Sequence, residues 1–346
     1  MRDNRKSHLR RDPHHGGWVL LPNQPEREQL LALPREQWPK ESFDLLCDPE
    51  KAGAHVIWTV NAQLPDGRHE TVRVIANQFA LYRVEGSEDR EGKGMYDLMR
   101  NVGAHEIIIE SRRHEDTLVS MSPHQYAITL QAIQERIRDL INDVRLKSFS
   151  VFREWECRNG GQPMHPHSQL IASSIIPLGL KNELDSAWEY YDYKERCLFC
   201  DMIQQELADQ DRVVKETEDF LSYCPFASRH PFEVHLFPRR HAAWFSEEPL
   251  NRLPGLAAMI RDVAARLEQA IPGWRVLMVL HTAPPMEKRH RQLHRVGHFY
   301  HWHIEFLPIA PGFLDWYART GTHVECTPPE EAAAFLRKLK VSSPWA

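Results

Sequence analysis

Residues 165–169 read His-Pro-His-Ser-Gln and residues 301–305 read His-Trp-His-Ile-Glu, so a His-x-His pattern followed by an amide or an acid occurs twice in one chain. In an extended strand residues i and i+2 share a face about 7 Å apart, so one imidazole of each pair could hold a metal while the other addresses a substrate. Among 20 histidines a single such pair could be accidental, and it is the recurrence that carries information. Cys197-Leu-Phe-Cys200 adds two thiols at the spacing of a zinc knuckle. Tetrahedral zinc wants two more nitrogen or sulfur ligands, for which His241 and His301 are the candidates. Free thiols and a redox dithiol are the alternatives, but the strand-into-helix context of a redox CxxC is missing. A site with four protein ligands leaves no open position, so the expected role is structural. In the first half Asp44 stands where the first cysteine of a matching pair would fall, which makes Asp44, Cys47, His114 and His165 a second candidate set. Otherwise that metal is lost and hydrogen bonds must hold His165.

The elements that must position these residues also come in duplicate. Gly103–His114 (GAHEIIIESRRH) and Pro231–His241 (PFEVHLFPRRH) each open near a glutamate, run through a β-rich stretch and end in Arg-Arg-His, pairing Glu106 with Glu233 and His114 with His241. Tyr126, Leu130, Ile133, Ile137, Ile141 and Val144 keep a helical period behind Ser122-Pro123. Leu256, Ile260, Val263 and Leu267 do the same behind Leu253-Pro254. A further strand and then the His-x-His follow each helix. The expected fold is α+β: two tandem half-domains, residues 1–185 and 186–346, each an antiparallel sheet with a helix packed on it. Asp185–Arg196 reads as the connector and Glu85–Lys93 as a solvated loop.

Composition sets the outer limits. With 346 residues, 42% hydrophobic and 26% charged, the chain is long enough for two cores and reads as globular and soluble. A net charge of −5 offers no basic field for nucleic acid, whereas a small phosphorylated ligand needs only a local site. The first residues lack the apolar core of a signal peptide, and no run of about 18 apolar residues occurs, so no membrane partner and a cytoplasmic location are expected. Six cysteines are too few for a disulfide framework of this size.

Taken together, these segments resemble the galactose-1-phosphate uridylyltransferase family, including its ADP-glucose phosphorylase-like members, within the histidine-triad superfamily. The resemblance runs over nearly the whole chain: Leu9–Leu21, Val72–Leu81 (VRVIANQFAL), GAHEIIIESRRH, HPHSQ, CLFC, PFEVHLFPRRH, HWHIE and the C-terminal TPPEEAAAFLRKL. It implies histidine-triad-like half-domains, the first carrying a nucleophile and the second a zinc site. It further implies a double displacement in which His167 attacks the α-phosphorus of a nucleotide sugar, giving a nucleotidyl-histidine that a hexose 1-phosphate then takes over. UMP is the expected nucleotidyl group. Neutral imidazole suits this chemistry, and an acceptor on Nδ1 would leave Nε2 as the nucleophile. On the same resemblance Gln169 and Ser168 donate to the nonbridging oxygens, while Arg73, Asn77 and Phe79 contact the nucleotide. His303 is either a vestigial counterpart of His167 or a sugar-phosphate contact. Zinc is the implied cofactor, nucleotide sugar and sugar 1-phosphate are the partners, and a homodimer is suggested.

Departures from the family pattern bear on the substrate. Glu154 follows Phe152-Arg153 where the family has asparagine, Asn159-Gly160-Gly161-Gln162 replaces Ala-Gly-Ala-Ser, and Glu305 stands at the position of Gln169. A carboxylate beside phosphate costs binding unless it turns away or pairs with a cation such as Arg153 or Arg158. Two other functions therefore remain open: a phosphorylase or hydrolase of a nucleotide sugar or dinucleotide, and a zinc-stabilised nucleotide-binding regulatory protein.

Overall fold

The computed structural model describes residues 8–11, 18–21, 46–51, 53–157, 165–287, 290–309, 320–324 and 326–341. Val56–Gln63 (β3), His69–Ala76 (β4), Gly103–Ile109 (β7), Ser148–Glu156 (β8) and His167–Ser173 (β9) are the first-half strands of a large sheet. Val213–Glu216 (β10), Phe220–Tyr223 (β11), Val234–Pro238 (β12), Arg275–His281 (β13) and His303–Ile309 (β14) are those of the second. All ten form one antiparallel sheet in the order β10-β11-β12-β14-β13-β8-β9-β7-β4-β3. Each half contributes five strands in the same relative order, and the halves join edge to edge where Arg275–Leu280 of β13 pair with Val151–Glu156 of β8. A smaller sheet is formed by His8–Arg11 (β1), Trp18–Leu21 (β2), Glu91–Lys93 (β5) and Tyr96–Arg100 (β6). The segment expected as a solvated loop thus ends in a strand.

Both helices expected from periodicity are present. In Pro123–Leu140 (α1), Ser122 caps the N-terminus by accepting from the Gln125 amide at 3.1 Å, and proline follows at the first helical position. The helix stops earlier than its apolar pattern: Asn142 donates to the carbonyls of Arg138 and Asp139, and Val144 is 82% exposed. The second-half counterpart is Leu253–Ala270 (α4). The stretch taken for a connector lies on a helix, Leu178–Lys194 (α2), because Leu184, Ala187, Trp188 and Tyr191 recur at helical spacing and cover apolar surface. Leu198–Asp209 (α3), the short Val296–Phe299 (α5) and Pro329–Lys338 (α6) complete the helices.

Two cores lie on opposite faces of the large sheet. The larger one spans both halves beneath α1 and α4, with Ile133, Ile137, Leu256 and Ile260 packed over Val74, Ile108, Leu170 and Ile304. Fully burying each such side chain stabilises the fold by about 1.5–3 kcal/mol. The smaller core joins α2 and α3 to the second-half face through Leu184, Phe199, Ile203, Leu221 and Phe237.

Candidate active site

Strand alternation sorts the HPHSQ segment. Along β9 His167, Gln169 and Ile171 are partly exposed, whereas Ser168, Leu170 and Ala172 are buried beneath α1. Cross-strand register sets Arg73, Ile109 and His167 in one row and Ile75, Ile107, Gln169 and Phe152 in the next. His167 Nδ1 lies 2.8 Å from the His165 carbonyl, which can only accept, so Nδ1 carries the proton and Nε2 keeps its lone pair. Burial is the main influence on His167 and pushes its pKa down, favouring the neutral, nucleophilic ring. Asn77 accepts from the Phe79 amide at 2.9 Å and lies 3.1 Å from His105 Nε2; Phe79 itself is exposed. His105 reaches Gln169 Oε1 at 2.8 Å. The structure therefore brings His167, Gln169, Asn77, Phe79 and Arg73 to neighbouring positions on β9, β7, β4 and the turn that follows β4.

Ser168 is not among them. Its hydroxyl donates to Glu110 Oε1 at 2.6 Å on the opposite, buried face, where Arg153 also holds Glu110 at 3.0 Å. The His-x-His-x-Gln spacing already contained that signal, since residues one apart in a strand cannot share a face.

The metal-binding candidates assemble from distant elements. Ligand atoms of Cys197, Cys200, His241 and His301 all lie within 4.8 Å of one another. Cys200 Sγ is 3.3 Å from His241 Nδ1 and 3.7 Å from His301 Nδ1, near the separation of about 3.6 Å that two ligands on tetrahedral zinc would have. The far nitrogens donate to backbone carbonyls, His241 Nε2 to Gly297 at 2.8 Å and His301 Nε2 to Pro238 at 3.0 Å, so both Nδ1 lone pairs face the thiols. Cys197 is held well below its ordinary thiol pKa, at about 3, first by the hydrogen bond from Cys200 and then by His241 and His301. The donor set fits a structural metal. In the first half Cys47, His114 and His165 converge in the same way: His165 Nε2 donates to the Ser111 carbonyl at 2.8 Å and Nδ1 is 3.5 Å from Cys47 Sγ. Asp44, the fourth residue of that set, lies outside the described residues.

His303 repeats the tautomer of His167 by donating from Nδ1 to the His301 carbonyl at 3.1 Å, but its surroundings differ. It is buried, with the rings of Phe237 and His281 stacked on it at 4.8 Å, and β13 and β8 separate its strand from β9. It lies on the same face of the sheet as His167 but with those two strands between them, and beneath the Phe199 and Phe237 rings. A second group of ionisable residues surrounds it, Glu305 together with Glu183 and His281, which were not singled out from sequence; their ligand atoms and those of His303 lie within 4.8 Å. Burial opposes the charge on Glu183, yet His281 and His303 hold its pKa down at about 2. Arg229 bridges Glu305 and Glu233, each at 2.7 Å. The two strand ladders also correct the expected pairing of the halves. Ile107 faces Gln169 where His235 faces Glu305, so His105, not Glu106, corresponds to Glu233. Glu106 instead points under α1, in a buried ion pair with Arg136 at 2.7 Å.

Residues 183–311 match the family model described as galactose-1-phosphate uridyl transferase, C-terminal domain. The chain is 28% identical to a galactose-1-phosphate uridylyltransferase of Thermotoga maritima over 255 residues, 72% of this chain and 78% of that protein. It is 24% identical to an ADP-glucose phosphorylase of Arabidopsis thaliana, covering 98% and 95% of the two chains. The similarity is to galactose-1-phosphate uridylyltransferases and to an ADP-glucose phosphorylase related to them. The fold agrees with a solved uridylyltransferase at a TM-score of 0.74, 22% identity, and 95% and 97% coverage. It agrees with the Arabidopsis thaliana ADP-glucose phosphorylase bound to ADP-glucose at 0.70, 21% identity, and 96% and 99% coverage.

The departure at Glu154 has a physical reading. The Glu154 carboxylate forms an ion pair with Arg275 of β13, a cation from the second half, while Arg153 is committed to Glu110. The added negative charge is compensated locally, though not by Arg153, which sequence proximity suggested. Arg158 and Gln162 lie outside the described residues, as does most of 312–321.

Proposed function

We propose that the protein is a nucleotidyltransferase that moves a nucleoside monophosphate, with UMP the preferred group, between a nucleotide sugar and a hexose 1-phosphate through a covalent nucleotidyl-His167. The observation that carries this reading is the fixed tautomer of His167: Nδ1–H is tied to the His165 carbonyl, and Nε2 keeps its lone pair on the partly exposed side of β9 that also carries Gln169. The Nε2 lone pair forms the N–P bond as the bond from phosphorus to the sugar-phosphate oxygen breaks, releasing sugar 1-phosphate. An oxygen of the acceptor phosphate then attacks the same phosphorus, and the N–P electrons return to His167. The Gln169 amide stabilises the charge that shifts onto the nonbridging oxygens. Asn77, Phe79 and Arg73 are assigned to the nucleotide. Zinc at Cys197, Cys200, His241 and His301 holds the second half together, and the Cys47, His114 and His165 set takes a second ion where Asp44 completes it. The cytoplasm, which keeps thiols reduced, suits such ligands. A homodimer belongs to the same reading and is checked by sedimentation.

A second reading keeps the intermediate and changes the acceptor to inorganic phosphate, as the name of the Arabidopsis thaliana relative suggests. Mass spectrometry after mixing the protein with UDP-glucose, ADP-glucose or a GDP-sugar, without acceptor, separates the nucleotides by the mass added at His167. Chasing the adduct with hexose 1-phosphate or with phosphate then separates the two acceptors. An absence of adduct from every donor, with turnover indifferent to His167→Ala, would overturn the covalent mechanism.

A further inference from the structure

Between the two residues assigned to substrate lies a buried histidine with no assigned role. His105, on β7, is 8% exposed; its Nε2 is 2.8 Å from Gln169 Oε1 and 3.1 Å from Asn77 Nδ2, and its Nδ1 is 3.4 Å from the Leu81 amide. Donor accounting settles the proton. A backbone N–H can only donate, so Nδ1 accepts from Leu81 and the neutral ring carries its proton on Nε2. That proton is donated to Gln169 Oε1, which turns the Gln169 NH2 away from His105. An amide left to rotate would present its carbonyl oxygen to phosphate half of the time, where it repels. Asn77 Oδ1 accepts from the Phe79 amide, so its Nδ2 meets the Nε2–H edge of the ring donor to donor, and that 3.1 Å approach is a packing contact and not a hydrogen bond.

We infer that His105 is a positioning residue that fixes the Gln169 amide with its two N–H groups toward the phosphoryl oxygens at His167. This rests on the nucleotidyl-transfer reading of His167. Burial, the main influence on His105, lowers its pKa, so the ring stays neutral and the donor arrangement does not alternate with a charged form. The second half supports the assignment by contrast. At the position of His105 it has Glu233, which together with Glu305 binds Arg229, so no amide there is aimed at an anion.

The test is a double-substitution cycle on the full chain, scored by the rate of adduct formation. His105→Phe is expected to slow that step on the order of 100-fold, as a misplaced catalytic group does, with a smaller change in KM. In a Gln169→Ala background the same substitution should add almost nothing, because its partner is already gone. His105→Gln, which can offer an N–H near the same place, should recover part of the rate. Equal losses in both backgrounds, with unchanged circular dichroism and metal content, would overturn the proposal, and so would an unslowed His105→Phe. Ring nitrogen NMR supplies a readout independent of activity: an Nε2–H tautomer for His105 is expected, and an Nδ1–H tautomer overturns the assignment. If the wild type forms no adduct while His105 shows the expected tautomer, it is the reading of His167 that fails.

Discussion

His167 and Ser168 are neighbours in sequence and lie on opposite faces of β9, and substitutions should separate them. His167→Ala should abolish the adduct. Gln169→Ala should slow its formation by roughly 10²–10³, the usual cost of losing one donor to a developing oxyanion. Ser168→Ala should leave adduct formation nearly intact and instead lower stability by about 1–3 kcal/mol, measured by urea unfolding, because Glu110 loses a buried hydrogen bond. A large rate loss with unchanged stability would show that Ser168 reaches the substrate. At the buried counterpart site, burial disfavours the Glu233 carboxylate, but the His235 hydrogen bond and Arg229 outweigh it and hold its pKa at about 2, below the ordinary 4.5. A carboxylate depressed in the folded state contributes stability above its unfolded pKa and loses it as pH falls through the folded one. Glu233→Gln should therefore flatten the decline in stability between pH 4.5 and 2; an unchanged slope would remove Glu233 from the acid transition.

At the scale of elements, the close approach of β7 and β9 sets the spacing on which His105, Gln169 and His167 depend. Gly103 makes that approach possible, since a Cβ there would run into the Ala172 carbonyl of β9 and press on the Tyr82 ring. Gly103→Ala should cost more than the ordinary 1–3 kcal/mol of overpacking, because backbone must move, and should slow the adduct step even where the protein remains folded. The candidate metal site has a similar dependence on α5. A Cβ at Gly297 would lie 2.8 Å from the Trp244 ring, and the Gly297 carbonyl holds His241. Cys197→Ser should release one equivalent of zinc and lower the melting temperature; wild-type protein purified without zinc would reject that site. Both helices read from periodicity exist because four or more apolar residues recur on one face behind a start signal. That the connector is a packed helix was not legible, because a segment rich in Glu, Asp and Tyr resembles a linker until Leu184, Ala187 and Trp188 find the core they cover.

The whole molecule is joined across β8 and β13 and between α1 and α4, and Gln134 of α1 donates to the carbonyls of Phe245 and Glu248 in the other half. Hydrophobic burial on one face is continuous through both halves. Circular dichroism and tryptophan fluorescence should therefore report one coincident unfolding transition, whereas two separated transitions would mean the halves are independent units. Among the described residues no helix is long and apolar enough to cross a membrane.

The amino-acid sequence by itself determined the repeated elements and the two candidate sets of cysteine and histidine ligands, because strand and helix periods and ligand types are local properties; the candidate nucleophile came from the family resemblance. The sequence also held the alternation that separates Ser168 from Gln169. Only the tertiary structure showed how differently the two His-x-His copies are set: α2 and α3 fold over the second-half face and bury His303, while His167 remains on partly exposed surface. It alone paired Glu154 with Arg275, and it alone placed His105 behind Gln169, 64 residues away in sequence. Those contacts come from strand order and register, which depend on how the whole chain buries its apolar faces.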